Sequence, residues 1–311
     1  MRALVVPAFA KINLGLEVLG TRQDGYHELR TLFQTIDLHD DVELRARSEG
    51  VSLVCDHPQV PSDAGNLAYR AAQDLCRFAG VSRGVEITLR KRIPVAGGLG
   101  GGSSDAAATL MGLDRLWGLK LGPAGLHPLA RRLGADVPFF LLGGTALGLG
   151  RGDEVYPLAR QVRAYVVLVD PDRPVSTAAV FRRVDASLTP RENGYTIFRF
   201  VSRDLEGQQA FPILANDLED AALAEAPELR EPMGRIRGIL VGSGCSLAAM
   251  SGSGSTFFGL FEDSRRAGKA RSALRAAGFS VTGCRTLPLN EYRGRWARSL
   301  GARRAGGGRT R

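Results

Sequence analysis

The sequence predicts a mixed helix-and-strand protein of two domains, and three observations carry that prediction. Segments of alternating apolar and polar residues, the mark of half-buried strands, are interspersed with segments whose apolar residues recur at helical spacing. The 311 residues exceed an ordinary single domain, and 44% hydrophobic with 23% charged residues is the balance of a folded globular chain. Finally, the glycine-rich stretch Ile93 to Ser104 sits between a strand and an alanine-rich helix, the setting of a ligand loop and not of a linker. The first domain is expected over residues 1–160 and the second over 161–290. Residues 291–311 are expected to form a basic, disordered tail.

Phe9 to Leu19 alternates as a strand, with Lys11 and Asn13 two residues apart on one face. Asp24-Gly25 marks a turn, followed by Tyr26, His27 and a strand-like run through Leu32, Phe33, Ile36 and Leu38. Asp41 to Cys55 reads as two short strands split at Glu49-Gly50. Asn66 to Ala79 is an amphipathic helix carrying Leu67, Ala71, Leu75 and Phe78, ended by Gly80. The strand Val85–Arg90 precedes the glycine loop, and a helix over Ala106–Trp117 follows it. Ser103, Ser104 and Asp105 are cap-type residues at that helix start. A helix over Pro123–Leu133, strands over Thr145–Gly150 and Asp153–Pro157, and a buried strand over Arg163–Asp170 come next. Thr177–Val184 reads as a short helix containing Phe181, and 186–209 as a polar surface loop. Helices open at Asn216 and Pro227. Cys245–Met250 and Phe279–Leu287 read as strands, and Ser264–Ala277 as a helix.

The net charge of +9 is concentrated at one end: seven arginines and no acid lie between Tyr292 and Arg311, so the rest of the chain is nearly balanced. The basic character therefore gives little support to a nucleic-acid-binding protein. No apolar run approaches the roughly twenty residues that span a bilayer, and Pro7 interrupts the only N-terminal apolar stretch, so a cytoplasmic protein without a membrane partner is expected. Cys55, Cys76, Cys245 and Cys284 are scattered, which argues against a zinc site or a disulfide framework.

Three stretches carry chemistry. The loop Pro94, Gly97, Gly98, Leu99, Gly100, Gly101, Gly102, Ser103, Ser104 allows close backbone approach, and the helix after it offers free N–H groups and a positive dipole end to an anion, most naturally a phosphate. No lysine follows the glycines as in a Walker loop, and residue 103 is Ser where a dinucleotide loop needs glycine. Asp136 lies in the apolar run Gly134–Gly144, either as a functional carboxylate or as the cap of a helix with Pro138 in its first turn. Ser251, Gly252, Ser253 and Gly254 form a tight turn before a strand and can make a second anion nest.

The stretch Pro-x-x-x-Gly-Leu-Gly-Gly-Gly-Ser-Ser-x-Ala resembles the phosphate loop of the GHMP kinases. Ala10-Lys11-Ile12-Asn13-Leu14 resembles their first motif, and the 251–254 turn their third. Arg22-Gln23-Asp24-Gly25-Tyr26-His27 and Gly134-Ala135-Asp136-Val137-Pro138-Phe139-Phe140 narrow the likeness to the 4-diphosphocytidyl-2-C-methyl-D-erythritol kinases. The resemblance spans about residues 7–287. It implies the two-domain α+β GHMP fold, with an ATP-binding N-terminal domain, a substrate-binding C-terminal domain and the active site between them. It also implies ATP and Mg2+ as cofactors and a small-molecule acceptor whose 2-hydroxyl is phosphorylated. Asp136 is then the general base with Lys11 beside it, and residues 94–104 hold ATP. Tyr26, His27 and Phe181 hold the cytosine, with Asn13 near the methylerythritol or diphosphate and residues 251–254 closing over the substrate. Phe181 is equally expected as a core residue. Asp105 is a candidate magnesium ligand or simply an acid in a first helical turn. Rival readings are another GHMP kinase acting on mevalonate, homoserine or a sugar, a basic nucleic-acid-binding protein, and a non-catalytic member of the fold.

Overall fold

The computed structural model describes residues 3–187 and 215–301. Two long strands, β1 (Ala3–Thr21) and β2 (His27–Arg47), form an antiparallel ribbon that runs through both halves of the protein. β1 is far longer than the alternation of Phe9–Leu19 suggests. Among the described strands it pairs with β2 only, apart from one bridge between Leu16 and Asn216, so it is an edge strand that tolerates Pro7. The first of the two short strands expected after Asp41 is a continuation of β2, and only β3 (Val51–Cys55) is separate.

β4 (Gly84–Arg90) and β5 (Thr145–Leu149) pair with different stretches of β2, Asp41–Arg47 and Thr31–Gln34. With β3 and β6 (Glu154–Pro157) they complete a six-stranded sheet. Helices α1 (Leu67–Ala79), α2 (Gly101–Trp117), α3 (Gly122–Leu133) and α4 (Val137–Leu142) bury their apolar faces against it, around Val6, Leu44, Ile87, Leu110 and Phe139. Local chemistry sets the ends of α1: the Asn66 side chain accepts from the amide of Ala68 at 2.9 Å, and Gly80 closes the helix in a left-handed conformation.

The second sheet is antiparallel, with β7 (Tyr165–Asp170) and β9 (Phe257–Phe261) at its centre and β10 (Ser280–Arg285) and β8 (Leu247–Met250) at its edges. Helices α5 (Thr177–Ser187), α6 (Leu218–Glu225), α7 (Arg230–Gly242) and α8 (Ser264–Ala276) pack around it. Between the two units lies a third apolar cluster, in which Ile12, Leu14, Leu32 and Leu99 meet Val166, Leu168, Phe258 and Leu260.

Two elements cross the division expected near residue 160. Leu16, Val18 and Leu29, at the far end of the β1–β2 ribbon, belong to the core of the second unit. A helix α9 (Leu289–Gly301) returns to the core of the first. This helix corrects the expectation that disorder begins at residue 291. Tyr292 and Trp296 are buried on its inner face, and the Tyr292 hydroxyl donates to the Phe140 carbonyl. Burying two such rings removes about 150–250 Å² each from water, which more than holds a short arginine-rich helix in place. The unpartnered indole nitrogen of Trp296 offsets part of that gain. The expected surface loop over 186–209 lies almost wholly outside the described residues, as do residues 302–311.

Candidate active site

The glycine loop does not wait for its serines to start the helix. α2 begins at Gly101, five residues before the expected Ala106, with Gly100 in a left-handed conformation at its cap and no capping side chain. Its first backbone bond runs from the Ser104 amide to the Gly100 carbonyl at 2.9 Å. The amides of Gly101, Gly102 and Ser103 therefore have no partner within the helix and open toward the loop. Ser103 borders the cavity described below. Ser104 does not: it is fully buried and its hydroxyl donates to the Phe9 carbonyl at 2.7 Å, which corrects the expectation that it contacts a ligand.

The loop is stitched to its surroundings through main chain. The Lys11 amide donates to the Leu99 carbonyl at 3.0 Å, and the Thr256 amide to the Gly97 carbonyl at 3.3 Å. At Gly98, φ is +74°, and a Cβ there would lie 2.1 Å from the Ser251 carbonyl oxygen. Only glycine satisfies both constraints. Ser251 is buried, and its hydroxyl donates to the Gly98 carbonyl at 3.0 Å. Ser251 and Gly254 thus lie behind the cavity wall, while Gly252 and Ser253 line it. Asn216 holds this second turn in place by donating to the carbonyls of Met250 (3.0 Å) and Gly252 (2.7 Å).

Lys11, Asn13 and Asp136 meet beside the loop. The Lys11 ammonium lies 3.6 Å from an Asp136 oxygen and donates to Asn13 Oδ1 at 2.6 Å. Asn13 in turn donates to Thr31 Oγ1 at 2.8 Å, and Thr31 to the Gly15 carbonyl at 2.9 Å. A buried lysine on the β1–β2 ribbon is thereby aimed at one place by a chain of three hydrogen bonds. Asp136 stands at the cap position of α4, yet its side chain makes no capping bond, so the carboxylate is left to face Lys11 and the cavity.

The cavity has a volume of about 550 Å³ and runs between the two units. The glycine loop, Lys11 and Asp136 line it together with Thr31, Arg151, Thr177 and Phe181. Phe181 packs on the second core, as expected of a core residue, and also borders the cavity. Its ring lies 4.8 Å from that of His27, tilted by 33°. Tyr26 sits at the tip of the β1–β2 turn, 55% exposed, with the Arg151 guanidinium 4.8 Å from its ring centre.

Beneath the loop is a buried charged triad. The Lys91 ammonium donates to Asp40 and, at 2.6 Å, to Asp105. Burial first, and the neighbouring Asp40 second, push the Asp105 carboxyl up to about 7 against the pull of Lys91. Oxygen Oδ1 of Asp105 has no hydrogen-bond partner.

Models of the GHMP kinases N terminal domain and the GHMP kinases C terminal domain match residues 66–144 and 208–279. A 4-diphosphocytidyl-2-C-methyl-D-erythritol kinase from Synechococcus sp. (strain JA-3-3Ab) is 45% identical over 282 residues, 88% of this chain and 90% of the relative. Another from Geobacter sulfurreducens is 41% identical over 288 residues, 92% of this chain and all of the relative. The chain belongs to the 4-diphosphocytidyl-2-C-methyl-D-erythritol kinase family. A crystal structure of a 4-(cytidine 5'-diphospho)-2C-methyl-D-erythritol kinase superposes with a TM-score of 0.74 at 41% identity, covering 91% of this chain and 98% of the other. A homoserine kinase from Cytophaga hutchinsonii has a TM-score of 0.71 at 20% identity over 92% and 95% of the two chains, a likeness of fold alone.

Several residues that build this member of the 4-diphosphocytidyl-2-C-methyl-D-erythritol kinase family escape a reading of its sequence. Thr31 is one polar residue in a strand, paired with Leu16 across the ribbon, and only the hydrogen bond it accepts from Asn13 gives it meaning. Arg151 lies in a turn between two strands, where an exposed arginine is ordinary. Lys91 is one of three consecutive basic residues, Arg90 to Arg92, and only the fold selects it for burial. For α9 a signal existed: Leu289, Tyr292, Trp296 and Leu300 recur at helical spacing between the arginines.

Proposed function

We propose that this kinase transfers the γ-phosphate of ATP to the 2-hydroxyl of 4-diphosphocytidyl-2-C-methyl-D-erythritol, a step of the non-mevalonate route to isoprenoid precursors, in the cytoplasm. The observation that carries the reading is the meeting of Lys11 and Asp136, 3.6 Å apart, beside the glycine loop in a cavity that continues to Phe181. The free amides of Gly101, Gly102 and Ser103, with the positive end of α2, receive the ATP phosphates. Asp136 accepts the proton of the acceptor hydroxyl as its oxygen bonds to the γ-phosphorus, and the bond to the β-phosphate oxygen breaks to release ADP. Lys11, 3.6 Å from Asp136, balances charge on the transferred phosphoryl group. Asn13, by fixing Lys11, keeps that cation in reach of both.

Recognition of the cytidine falls to Tyr26, His27 and Phe181, through stacking on the base and contact with its edge. Thr177 and Ser253, joined at 2.7 Å, line the same cavity from the second unit. Magnesium chemistry suits the site in a limited way. Among the described residues no group of three acids, histidines or cysteines gathers to bind a metal, but Mg2+ commonly takes one carboxylate together with substrate phosphates. Asp105, with its unpartnered oxygen beside the loop, is the residue that would hold it, and the ion would neutralise phosphate charge.

The test is release of ADP from MgATP with 4-diphosphocytidyl-2-C-methyl-D-erythritol, mevalonate and homoserine as separate acceptors. Turnover with the cytidyl alcohol alone is expected. Activity on another acceptor, with none on the cytidyl alcohol, contradicts the substrate assignment and leaves the family's fold and kinase chemistry untouched.

A further inference from the structure

Tyr26 presents a problem of positioning. Its backbone is fixed: the Arg22 amide donates to the Tyr26 carbonyl at 2.7 Å, and the Tyr26 amide donates to Asp24 Oδ1 at 3.1 Å. The ring itself is more than half exposed at a hairpin tip, where an aromatic side chain ordinarily rotates freely. A ring that contributes to binding from such a position needs something to hold it.

The group against its face is the Arg151 guanidinium, 4.8 Å from the ring centre. Arg151 is itself tethered. Its Nη2 donates to Asp153 Oδ2 at 2.9 Å, and the same oxygen accepts from Arg131 Nε at 2.8 Å. Asp153 is buried. The turn carrying Arg151 lies between Gly150 and Gly152, both at positive φ, and the Leu29 amide donates to the Gly150 carbonyl at 2.6 Å. The turn is thus pinned to β2 two residues beyond His27. Arg131 lies on α3, five residues before Asp136. One buried carboxylate therefore ties the helix leading to Asp136 to the turn that faces Tyr26.

We propose that Arg151, held by Asp153, is a positioning residue that sets the Tyr26 ring at the margin of the cavity for stacking on the substrate's pyrimidine base. The proposal rests on the reading of Tyr26 as a base-binding ring. A guanidinium can lie over the ring with its face while one of its edge N–H groups bonds the carboxylate, a division that a compact lysine ammonium does not offer. Arg151 acts on the acceptor through Tyr26, so its loss weakens acceptor binding without weakening ATP binding.

The experiment is a double-mutant cycle on the full-length enzyme. Arg151→Gln, Tyr26→Ala and the double variant are assayed for kcat and for KM toward the cytidyl alcohol and toward ATP. Tyr26→Ala is expected to raise the KM for the alcohol by about tenfold or more. Arg151→Gln is expected to raise it by about three- to tenfold, with the KM for ATP and kcat within about twofold of wild type. The double variant is expected to be no worse than Tyr26→Ala, because Arg151 has nothing left to position. Arg151→Lys should fail to restore the wild-type KM, and Asp153→Asn should reproduce Arg151→Gln. If Asp153→Asn fails to fold, the Arg151 arms still decide the matter. Effects of Arg151→Gln and Tyr26→Ala that multiply overturn the proposal, as does an Arg151→Gln enzyme with wild-type KM. A Tyr26→Ala enzyme with unchanged KM overturns it by another route, since the assignment of Tyr26 to the base then fails.

Discussion

The two ends of the cavity are built on different principles. At the loop end, position is set by main chain and by buried polar contacts that satisfy one another. Gly98 meets Ser251, Leu99 meets Lys11, and Lys11, Asn13 and Thr31 form one hydrogen-bonded chain. At the aromatic end, position depends on side chains from three separate segments. Tyr26 comes from a hairpin tip, Arg151 from a neighbouring turn, and Phe181 from a helix of the second unit. The first design leaves no room for a side chain at Gly98 and holds Lys11 through Asn13. The second leaves Tyr26 more than half exposed, held only by its neighbours' side chains and its own backbone.

The sharpest way to separate the ends is Asp136→Asn. On the proposed reading it removes the base, and kcat should fall by about 10²- to 10⁴-fold with acceptor KM little changed. A loss confined to KM would move Asp136 from chemistry to binding. Next in size is Gly98→Ala. The added methyl would enter the Ser251 carbonyl at a backbone angle that L-residues avoid, so a loss of about 2–4 kcal/mol in a denaturant titration is expected. A variant of wild-type stability would mean that the two loops are not locked together. Tyr26→Ala, at the other end, should raise acceptor KM while the melting temperature shifts by no more than a few degrees, because the ring is more than half exposed.

The smallest effect concerns the triad beneath the loop and is a pH dependence. The Asp105 carboxyl titrates near 7 in the folded protein, above its ordinary value near 3.8. The folded state therefore holds a proton that the unfolded chain has lost between those values. The stability contributed by this group is present below about 4 and declines as pH rises toward 7. Melting curves of wild type and Asp105→Asn, without metal or nucleotide, should show the difference moving in favour of the variant as pH rises from about 5 to about 8. A constant difference would mean that Lys91 keeps Asp105 ionised throughout.

The same contrast explains what could be read from the sequence. At the loop end the parts are local: its glycines, Lys11 with Asn13, and Gly134–Phe140 are each contiguous stretches whose spacing limits what they can do, although the fold alone brings Lys11 to Asp136 and Gly98 to Ser251. Even there, α2 was expected to start at Ala106, because cap-type side chains at 103–105 suggest a boundary that free backbone amides do not need. The aromatic end is assembled from distance. No spacing in the sequence brings Arg151 against Tyr26 or Asp153 against Arg131, since the first contact joins two separate turns and the second joins the helix α3 to a turn. The mixture of helices and strands was legible from periodicity and the two-domain fold from the resemblance of the motifs, but the sharing of elements between units was not. Leu16 and Val18 lie within the alternating stretch itself, but nothing in that alternation shows that the β1–β2 ribbon carries them into the second core, and α9 is masked by the arginines interspersed among its apolar positions.

The measurement that tests the central claim most directly is phosphorus NMR of the reaction of the wild-type enzyme with MgATP and an equimolar mixture of 4-diphosphocytidyl-2-C-methyl-D-erythritol, mevalonate and homoserine. The account predicts one new phosphate monoester, on the 2-hydroxyl of the methylerythritol, with its diphosphate bridge intact. A monoester on mevalonate or homoserine, or one at a different hydroxyl of the cytidyl alcohol, would contradict it.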